Sequence, residues 1–513
     1  MMTACDDGRR RVYESGDKGE SWTEALGTLS RVWGNKHEGL DKGVGSGFIT
    51  ATIGDKKVML VTLPVYSTEN GKKGNEESEN GIGRLHLWLT DNTHIVDIGP
   101  VSEKDEDVTA SSLLYKSGKV SKDEEELIAL YEKLIVLYEE KDNGEEDEEA
   151  SLGMVSVRLT AQLQRVKEVL ATWKKVDERV SQLCTTLLAA KVTSAGHACS
   201  AARVTKGLVG FLSGNFSENT WRDEYLGVNA TVKKNDGGAE KKSAGANKSP
   251  YGVTFQGAWA EWPVGRQGEN QLYHFANYNF TLMATVSIHE VPKEGPIPVM
   301  GATLNDDGNT VLLGLSYNNE KKWQFSCGGE GPDKLSSTLG AEKTQHVVIL
   351  VRSGNQGSAY VDGQRVGDAS CALGNNTLQE ISHFYIGGDG GSAGSREGVP
   401  VTVTNVLLYN RPLSSAEMTA LNTKLSIQKV AGNTPPKVSG PDTHETVSQS
   451  SPAVTQPSEH SSGSAVASGG VGNAAASNPH AVGEAMGDAG TVRGSGLLPS
   501  LLLLLGLWGF AAL

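Results

Sequence analysis

Two short segments carry residue types that bind phosphate or calcium in other proteins. Gly43, Gly45 and Gly47 form a GxGxG pattern that would suit a phosphate loop, but no Lys-Ser/Thr pair follows and no helix begins there, so a turn is favoured. The run NDDGN at residues 305–309 offers oxygen ligands for calcium, although hairpin turns use the same residues more often. We therefore expect no bound metal and no cofactor.

The cysteines point to disulfides and not to a metal site. None of them belongs to a CxxC pair, and no histidine completes a set of four ligands, so a zinc site is not expected. Two disulfides, Cys184–Cys199 and Cys327–Cys371, are favoured over buried thiols because the C-terminus indicates secretion. Cys5 is then left over.

Length and charge limit the class of protein. A chain of 513 residues is too long for one ordinary domain, so two or three domains with linkers are expected. The formal net charge of −14 disfavours a nucleic-acid partner, because little of the chain would neutralise phosphates. The same charge disfavours electrostatic binding to an anionic membrane.

Residues 1–156 are predicted to form a β-rich domain. Runs such as GFITATI and RLHLWLTD are separated by Gly, Asn and Asp turns. One turn, SGDKGESW, starts at Ser15 and fits SxDxGxxW, the Asp box that recurs in sialidase propeller blades. We expect Asp17 to tie the turn backbone, Gly19 to permit the tight bend and Trp22 to pack between strands, which is a structural and not a catalytic role.

An acidic segment and a helix follow. Residues 122–150 surround the run ELIALYEKLIVLY, which could be a helix or an edge strand and which would make a hairpin with the following MVSVRLT. Over 157–190, apolar residues spaced three and four apart predict an amphipathic helix. They are Leu159, Leu163, Val166, Leu170, Trp173, Val176, Val180 and Leu183. Such a helix could dimerise, but packing between two β domains is favoured.

Residues 205–430 read as a second β domain, and residues 431–490 as a stalk. Many apolar runs without helices between them indicate a two-sheet sandwich, with Asp362-Gly363 as a type I′ hairpin signal. The stalk is rich in Ser, Thr, Pro and Gly and has too few apolar residues to fold. Five N-glycosylation sequons precede it, at Asn215, Asn229, Asn247, Asn279 and Asn375.

Residues 491–513 have the features of a glycosylphosphatidylinositol (GPI) signal. Small residues, a polar spacer and the run LLPSLLLLLGLWGFAAL occur in the required order, so this interpretation is favoured over a tail-anchored helix. Asp488 is the expected attachment residue, with Gly487 and Ala489 as alternatives. The first residues carry no secretory signal peptide, which a GPI protein needs, so we expect that an N-terminal part is missing.

Several segments resemble one family across almost the whole chain. The run VTVTNVLLYNRPL at 401–413 resembles the signature VTVxNVxLYNR of the trans-sialidase superfamily of protozoan-parasite surface glycoproteins. YESGDKGESWTEALGTLSRVWG, RLHLWLTDN and YHFANYNFTL resemble further family segments. The resemblance implies an all-β fold with one long helix: part of a six-bladed sialidase propeller, a linker helix, a lectin-like sandwich of the concanavalin or laminin-G type, a stalk and a GPI anchor.

The resemblance also implies that catalytic groups are lost. Active members hold the substrate carboxylate with three arginines and attack the anomeric carbon with a Tyr that a Glu activates. The matching positions are Ala4 and Ile82 for two arginines and Ala110 for the Tyr. Tyr115 lies nearby, but the family has its own Tyr at that place. The first Arg, the Glu and the acid/base Asp would precede Met1.

Three functions are consistent with these features. The first is adhesion of a non-catalytic, GPI-anchored glycoprotein at the outer face of the plasma membrane to host-cell or matrix proteins, and to glycans if the sandwich binds sugar. Under this hypothesis the partner is contacted by the polar and aromatic residues of the 401–413 run, which are Asn405, Tyr409, Asn410 and Arg411. The alternative is that the run serves folding alone. The second is exo-α-sialidase or trans-sialidase activity. The third is an antigenic decoy or a non-functional truncated product.

Overall fold

The computed structural model describes sixteen stretches of the chain, and they are almost entirely β-strand. The stretches are 2–4, 9–34, 45–66, 83–104, 106–118, 125–140, 146–189, 204–234, 245–264, 270–293, 295–306, 310–328, 336–337, 345–373, 380–390 and 399–422. They all belong to one compact unit, Met1–Pro435. Residues 423–513 lie outside the described part of the chain. No helix in the described part has the length and apolarity that a membrane crossing requires.

Ten strands precede a long helix and form three antiparallel sheets. The strands are β1 (Met2–Ala4), β2 (Arg10–Glu14), β3 (Thr23–Glu24), β4 (Gly47–Ile53), β5 (Lys56–Tyr66), β6 (Gly83–Thr90), β7 (Ile95–Pro100), β8 (Val108–Lys116), β9 (Glu126–Glu140) and β10 (Glu146–Arg158). The sheets have the orders β1-β2-β3, β4-β5-β6-β7 and β10-β9-β8. The middle sheet is buried on both faces, because Val61 and Trp88 pack with Trp33 on one face while Leu60 and Leu87 pack towards β8 and β9 on the other.

The acidic segment is a strand hairpin and not a helix. The whole of β10 pairs with β9, from Arg158 opposite Ile128 to Glu146 opposite Glu140. The predicted hairpin with MVSVRLT is therefore confirmed. Every second residue of this part of β9 is buried on one face of the sheet, namely Leu127, Ala129 and Tyr131, which is the period of a strand and not of a helix.

The long helix α1 (Thr160–Ala189) begins two residues after β10 ends and lies between the two β domains. Its predicted stripe is buried from Leu159 to Val180, in one core with strands of both domains. The predicted packing is confirmed for the residues whose side chains are described; Leu183 lies outside them. Burial of this stripe, and not helix propensity, holds the helix in place.

Sixteen strands after α1 form one continuous antiparallel sheet, whereas two separate sheets were expected for this domain. The domain is still called the sandwich below. The strands are β11 (Leu208–Ser217), β12 (Thr220–Asp223), β13 (Ala230–Lys234), β14 (Gly245–Ser249), β15 (Gly252–Gln256), β16 (Ala258–Pro263), β17 (Asn279–Ile288), β18 (Ile297–Leu304), β19 (Val311–Tyr317), β20 (Trp323–Cys327), β21 (Ser336–Ser337), β22 (Gln345–Ser353), β23 (Gln356–Val361), β24 (Gln364–Ala372), β25 (Ile381–Ile386) and β26 (Val401–Tyr409). The main path runs β21-β20-β19-β18-β25-β16-β13-β12-β11-β26-β17-β22-β23-β24, with the β14–β15 hairpin joined to β26. A short 3₁₀ helix (His274–Asn277) and a helix α2 at 415–422 complete the described elements.

The central strands of this sheet are buried on both faces, which explains their continuous apolar runs. In β22, Val348 and Leu350 point into the sandwich core, whereas Val347 and Ile349 pack towards α1. The Asp362-Gly363 turn between β23 and β24 has φ of 49° and 81°, as the predicted type I′ hairpin requires. The expected all-β fold with one long helix is confirmed.

Candidate functional site

Ala110, the position that the resemblance equates with the nucleophile, lies in β8 where this strand meets the start of β4. The Gly45 amide donates to the Thr109 carbonyl at 3.1 Å, and the Ser111 amide donates to the Gly45 carbonyl at 2.9 Å. Across the sheet, Ala110 faces Glu132, a carboxylate that is only 8% exposed. The methyl group of Ala110 offers no nucleophile and no proton.

The hydroxyls near Ala110 do not replace a catalytic tyrosine. The Ser111 hydroxyl lies 3.0 Å from that of Thr62 and 3.3 Å from the Gly45 carbonyl, and none of these partners is a base. Tyr115 is an odd number of residues away on the same strand, so it projects from the other face of the sheet. Burial and the nearby Glu125 carboxylate raise the pKa of Tyr115, which keeps the phenol protonated.

The structure says less about Ala4 and Ile82, the two positions that the resemblance aligns with arginines. Ala4 lies in β1 opposite Arg10, at a register position next to the three consecutive arginines of the chain. Ile82 lies outside the described residues, just before β6. The arrangement around Ala110 is therefore the part of the candidate site that the structure describes most completely.

The two ion-binding patterns have structural roles. Gly47 opens β4, so the expected turn does not extend to it, and a Cβ there would lie 2.8 Å from the Ser112 backbone. Glycine is needed because β4 passes so close to β8. Gly43, the first glycine of the run, lies outside the described residues. Asp306, in the NDDGN run, accepts from the Thr310 amide at 2.8 Å, as a turn requires. Among described residues, no group of three His, Cys, Asp or Glu could hold a metal ion.

The Asp box forms the predicted turn, with one correction. The Asp17 carboxylate accepts from the Ser21 amide at 2.9 Å, the Gly19 amide donates to the Ser15 hydroxyl at 2.7 Å, and Gly19 has φ of +100°. Hydrogen bonds from Ser21 and Ser15 lower the pKa of Asp17. The expectation that Trp22 packs between strands is wrong: its side chain is 47% exposed, and its indole donates to the Gly19 carbonyl at 3.1 Å.

A buried ionic cluster, which the sequence did not suggest, joins β2 to the sandwich. The Arg9 guanidinium makes two 2.7 Å hydrogen bonds to the Glu380 carboxylate and a third, 2.8 Å, to Nε2 of His274. Burial alone would raise the pKa of Glu380, but the nearby His274 ring and the hydrogen bonds and charge of Arg9 outweigh it and lower the pKa to about 2. Burial lowers the pKa of His274, so this imidazole is neutral and accepts from Arg9.

A second buried cluster joins the β6–β7 turn to α1 and the sandwich. The His94 ring stacks on Tyr225 at 4.3 Å between ring centroids and lies 4.9 Å from Trp173. Against the effect of burial, hydrogen bonds from His94 and Lys56 lower the pKa of Asp91. In the sequence, Asp91 belongs to the segment RLHLWLTDN, which resembles the family but does not by itself predict this cluster.

One buried carboxylate in the sandwich supports a loop. Asp223 is 2% exposed and accepts from the backbone amides of Phe211, Tyr225 and Gly227 at 2.7–3.3 Å. Burial raises the pKa of Asp223 to about 6 despite these hydrogen bonds. Its partners are backbone groups and the Tyr273 hydroxyl, which indicates a structural role.

The 401–413 run lies in β26 and the turn after it, and half of its proposed contact residues are buried. Tyr409 is 0% exposed and donates to the Val204 carbonyl at 3.0 Å, while Asn405 is 6% exposed with φ of 51° at an irregularity in the strand. Asn410 donates to the Thr28 hydroxyl at 2.8 Å, and Arg411 forms two hydrogen bonds with Glu417 at 2.7 and 3.1 Å. The expectation that all four meet a partner is therefore wrong for the two buried residues.

Some of the sequons and cysteines lie within the described residues and some lie outside them. Asn215, Asn229 and Asn247 are exposed, Asn279 is half-buried at the start of β17, and Asn375 lies outside the described residues. The predicted Cys327–Cys371 disulfide is confirmed and links β20 to β24. Cys5, the side chain of Cys184, Cys199 and the expected anchor residue Asp488 lie outside the described residues.

Sequence models of three family domains match the chain. The trans-sialidase C-terminal domain matches residues 204–416, a BNR repeat-like domain matches residues 1–132, and the hydrophobic C-terminal segment of Trypanosoma trans-sialidase matches residues 489–513. The first covers the sandwich with β26, and the second covers most of the three N-terminal sheets.

Individual relatives agree with this assignment. Sialidase 85-1.1 of Trypanosoma cruzi is 32% identical over 100% of this chain and 59% of its own length, so the chain spans about three-fifths of that relative. Sialidase 85-1.3 of T. cruzi is 33% identical over its full length and 36% of this chain. The T. cruzi trypomastigote decay-accelerating factor is 39% identical over 17% of this chain and 90% of its own length.

A solved structure supports the fold. Trypanosoma rangeli sialidase, in complex with 2,3-difluorosialic acid as a covalent intermediate, matches with a TM-score of 0.65 and 36% identity, covering 83% of this chain and 60% of that one. Together with the domain matches and the match over the full length of sialidase 85-1.3, this agreement identifies the chain as a member of the trans-sialidase superfamily.

Proposed function

We propose that this protein is a catalytically inactive, GPI-anchored surface glycoprotein that acts in adhesion to host cells or matrix and in immune interaction. The observation that carries the proposal is Ala110. A retaining sialidase needs a nucleophile at the anomeric carbon, and a methyl group cannot form or break the glycosyl bond. Neither Ser111, bonded to neutral groups, nor Tyr115, on the opposite face, substitutes for it.

The surface role is supported by different parts of the chain. Three exposed sequons in the sandwich suit a glycoprotein. The match of residues 489–513 to the hydrophobic C-terminal segment of the family supports the GPI anchor near Asp488. The decay-accelerating factor relative supports the immune part of the proposal.

The adhesive surface, if it includes the 401–413 run, is smaller than the sequence suggests. Asn405 and Tyr409 belong to the core, which leaves Asn410 and Arg411 at the surface. Arg411 keeps 25% of its side chain exposed while paired with Glu417. We propose that contacts with a host protein come from these two residues and from the neighbouring sandwich surface.

The adhesion proposal is tested by binding of the purified protein to host cells. Arg411→Ala should reduce the bound amount while circular dichroism stays unchanged, and the control Arg222→Ala, at an exposed site of β12, should bind like the parent. If Arg411→Ala binds like the parent, the run serves folding alone and the adhesive surface lies elsewhere.

Sialidase activity is the second candidate, because two T. cruzi relatives are named sialidases. An active sialidase would turn over a sialoside, whereas the inactive protein proposed above would not. A phospholipase C specific for phosphatidylinositol tests the anchor separately: it should release the protein from cells, and a protein that stays bound with its 497–513 tail intact would contradict GPI attachment.

A further inference from the structure

One half-buried arginine of the sandwich directs its hydrogen bonds to neutral groups. Arg352, at the end of β22, donates through Nε to the Gly354 carbonyl at 3.2 Å and through Nη1 to the Ala276 carbonyl at 3.4 Å. In the described part of the chain, no carboxylate pairs with this guanidinium. Burial lowers the pKa of Arg352 to about 10, although Tyr278 acts in the opposite direction. Proteins normally pair a buried charge with an opposite one, so this guanidinium is suited to an external anion.

Two other arginines near the 3₁₀ helix each have a carboxylate partner. Arg9 makes two hydrogen bonds to Glu380, and Arg31 donates to the two Glu24 oxygens at 2.7 and 3.3 Å. The hydrogen bond to Glu24 raises the pKa of Arg31, whereas the pKa of Arg352 is lowered. Glu24 and Glu380 are thus engaged by their own arginines, and neither of them neutralises Arg352.

Tyr278, the residue after the 3₁₀ helix, lies beside Arg352 and Arg31. Its carbonyl accepts at 3.0 Å from the amide of Gly354, the residue whose carbonyl Arg352 contacts. Its phenol interacts electrostatically with both guanidinium groups. Burial raises the pKa of Tyr278, so the hydroxyl keeps its proton and can donate a hydrogen bond. Among the described residues, this hydroxyl has no acceptor.

We propose that Arg352 and Tyr278 bind one group with anionic oxygens, a sulfate or a carboxylate, beside the positive charge of Arg31. The Nη2 group of Arg352 bonds to none of the described residues and has two hydrogens to donate. A guanidinium matches such groups in geometry as well as in charge, and the Tyr278 hydroxyl is a further donor. The site shares no residue with the positions aligned with the sialidase arginines, and it does not depend on the adhesion proposed for Arg411.

The charge of the whole chain makes this binding local. With a formal net charge of −14, the chain does not attract anions in general, so binding requires specific donors. Few donors in a half-open position hold a free ion weakly, and a dissociation constant in the millimolar range is expected for sulfate.

Urea unfolding of the full chain in sulfate tests the site, because a ligand that binds only the folded state stabilises it by mass action. Sulfate is raised from zero to about 50 mM while chloride is lowered to hold the ionic strength constant. The midpoint of the parent should show a saturable rise, on top of the general effect of sulfate that does not saturate. Arg352→Gln should weaken sulfate binding about tenfold. The control Arg222→Gln, at an exposed site of β12, should respond like the parent.

A purely structural role of Arg352 predicts a different result. Arg352→Gln would then lower the midpoint by the same amount at every sulfate concentration. That result, or a parent without a saturable rise, would overturn the proposal. If Arg352→Gln fails to fold, Tyr278→Phe takes its place: it removes one donor and no charge, and it should weaken sulfate binding severalfold. An unchanged sulfate response of Tyr278→Phe would then count against the site.

Galactose 6-sulfate and glucuronic acid, used in place of sulfate, identify the source of the anion. Tighter binding of either sugar than of sulfate, with the same dependence on Arg352, assigns the site to an acidic glycan. Equal or weaker binding of both sugars assigns it to the free ion. Either result supports the site, whereas sugar binding that Arg352→Gln leaves unchanged would contradict it.

Discussion

The hydroxyl of Tyr409 donates a hydrogen bond to the backbone carbonyl of Val204, 3.0 Å away, across the junction between the sandwich and the segment that follows α1. The next two residues also bond to distant segments: Asn410 to the Thr28 hydroxyl in the turn after β3, and Arg411 to the Lys206 carbonyl. The conspicuous run in β26 therefore joins parts of the fold that are distant in sequence.

Replacement of Tyr409 tests this structural role. Tyr409→Ala should lower the free energy of unfolding by roughly 3–5 kcal/mol, because it empties a fully buried site. Tyr409→Phe keeps the ring and should cost only about 0.5–1.5 kcal/mol for the hydrogen bond. Urea unfolding measures both. If Tyr409→Ala is as stable as the parent, the side chain is not a core residue and a surface role must be reconsidered.

Acid should weaken the Arg9–Glu380–His274 cluster in two steps. The folded-state pKa of Glu380 is about 2 against 4.5 for the ordinary side chain, so its contribution is present above pH 4.5 and is lost as pH falls from there towards 2. The lowered pKa of His274 means that stability also falls as pH drops below 6.5. Solvent screens Glu380, which is 28% exposed, so we expect about 1–2 kcal/mol from it.

Glu380→Gln isolates the carboxylate. The variant should be less stable than the parent at pH 7. The difference should shrink between pH 4.5 and pH 3, because Glu380 of the unfolded parent then binds a proton that the folded protein, with its pKa of about 2, does not bind. The control Glu20→Gln, at an exposed site, should track the parent at every pH. A gap between Glu380→Gln and the parent that is the same at pH 7 and pH 3 would contradict the assigned ion pair.

Loss of the Asp17 carboxylate should affect only the Asp-box turn and not the neighbouring sheets. In Asp17→Ala, the amide of Ser21 loses its acceptor, so its hydrogen exchange should accelerate while exchange in β5 and β6 stays unchanged. Glu20→Ala, in the same turn, should leave these amides protected. Unchanged exchange at Ser21 in Asp17→Ala would show that another group holds the turn.

The Cys327–Cys371 disulfide closes a sequence separation of 44 residues. Cys371→Ser should lower stability by about 2–4 kcal/mol, since the cross-link restricts the unfolded chain. Mass spectrometry of an unreduced digest should show the two peptides linked. Recovery of both cysteines as free thiols from oxidised, secreted protein would contradict the pairing.

The features that the sequence predicted well depend on local patterns. The α1 stripe, the β9–β10 hairpin and the Asp362-Gly363 turn follow from residue periodicity or turn chemistry within a few neighbouring residues. The exposure of Trp22 and the burial of Tyr409 depend instead on which distant segments arrive beside them. Arg9 and Glu380 are 371 residues apart, so no local pattern could pair them.

The central claim is that this chain, although a member of the trans-sialidase superfamily, does not cleave sialosides. Loss of one group that stabilises a transition state typically costs about 10²–10³ in rate, and loss of the nucleophile removes the covalent route altogether. Ala110→Tyr should restore no activity by itself, since Ala4 and Ile82 still stand where the resemblance places arginines.

The most direct measurement is turnover by the purified chain of a fluorogenic sialoside, together with transfer from a sialyl donor to a galactosyl acceptor. The predicted result is a rate equal to that of a mock preparation in both assays, for the parent and for Ala110→Tyr. Turnover above the mock preparation in either assay would contradict the account and place the protein among the active sialidases.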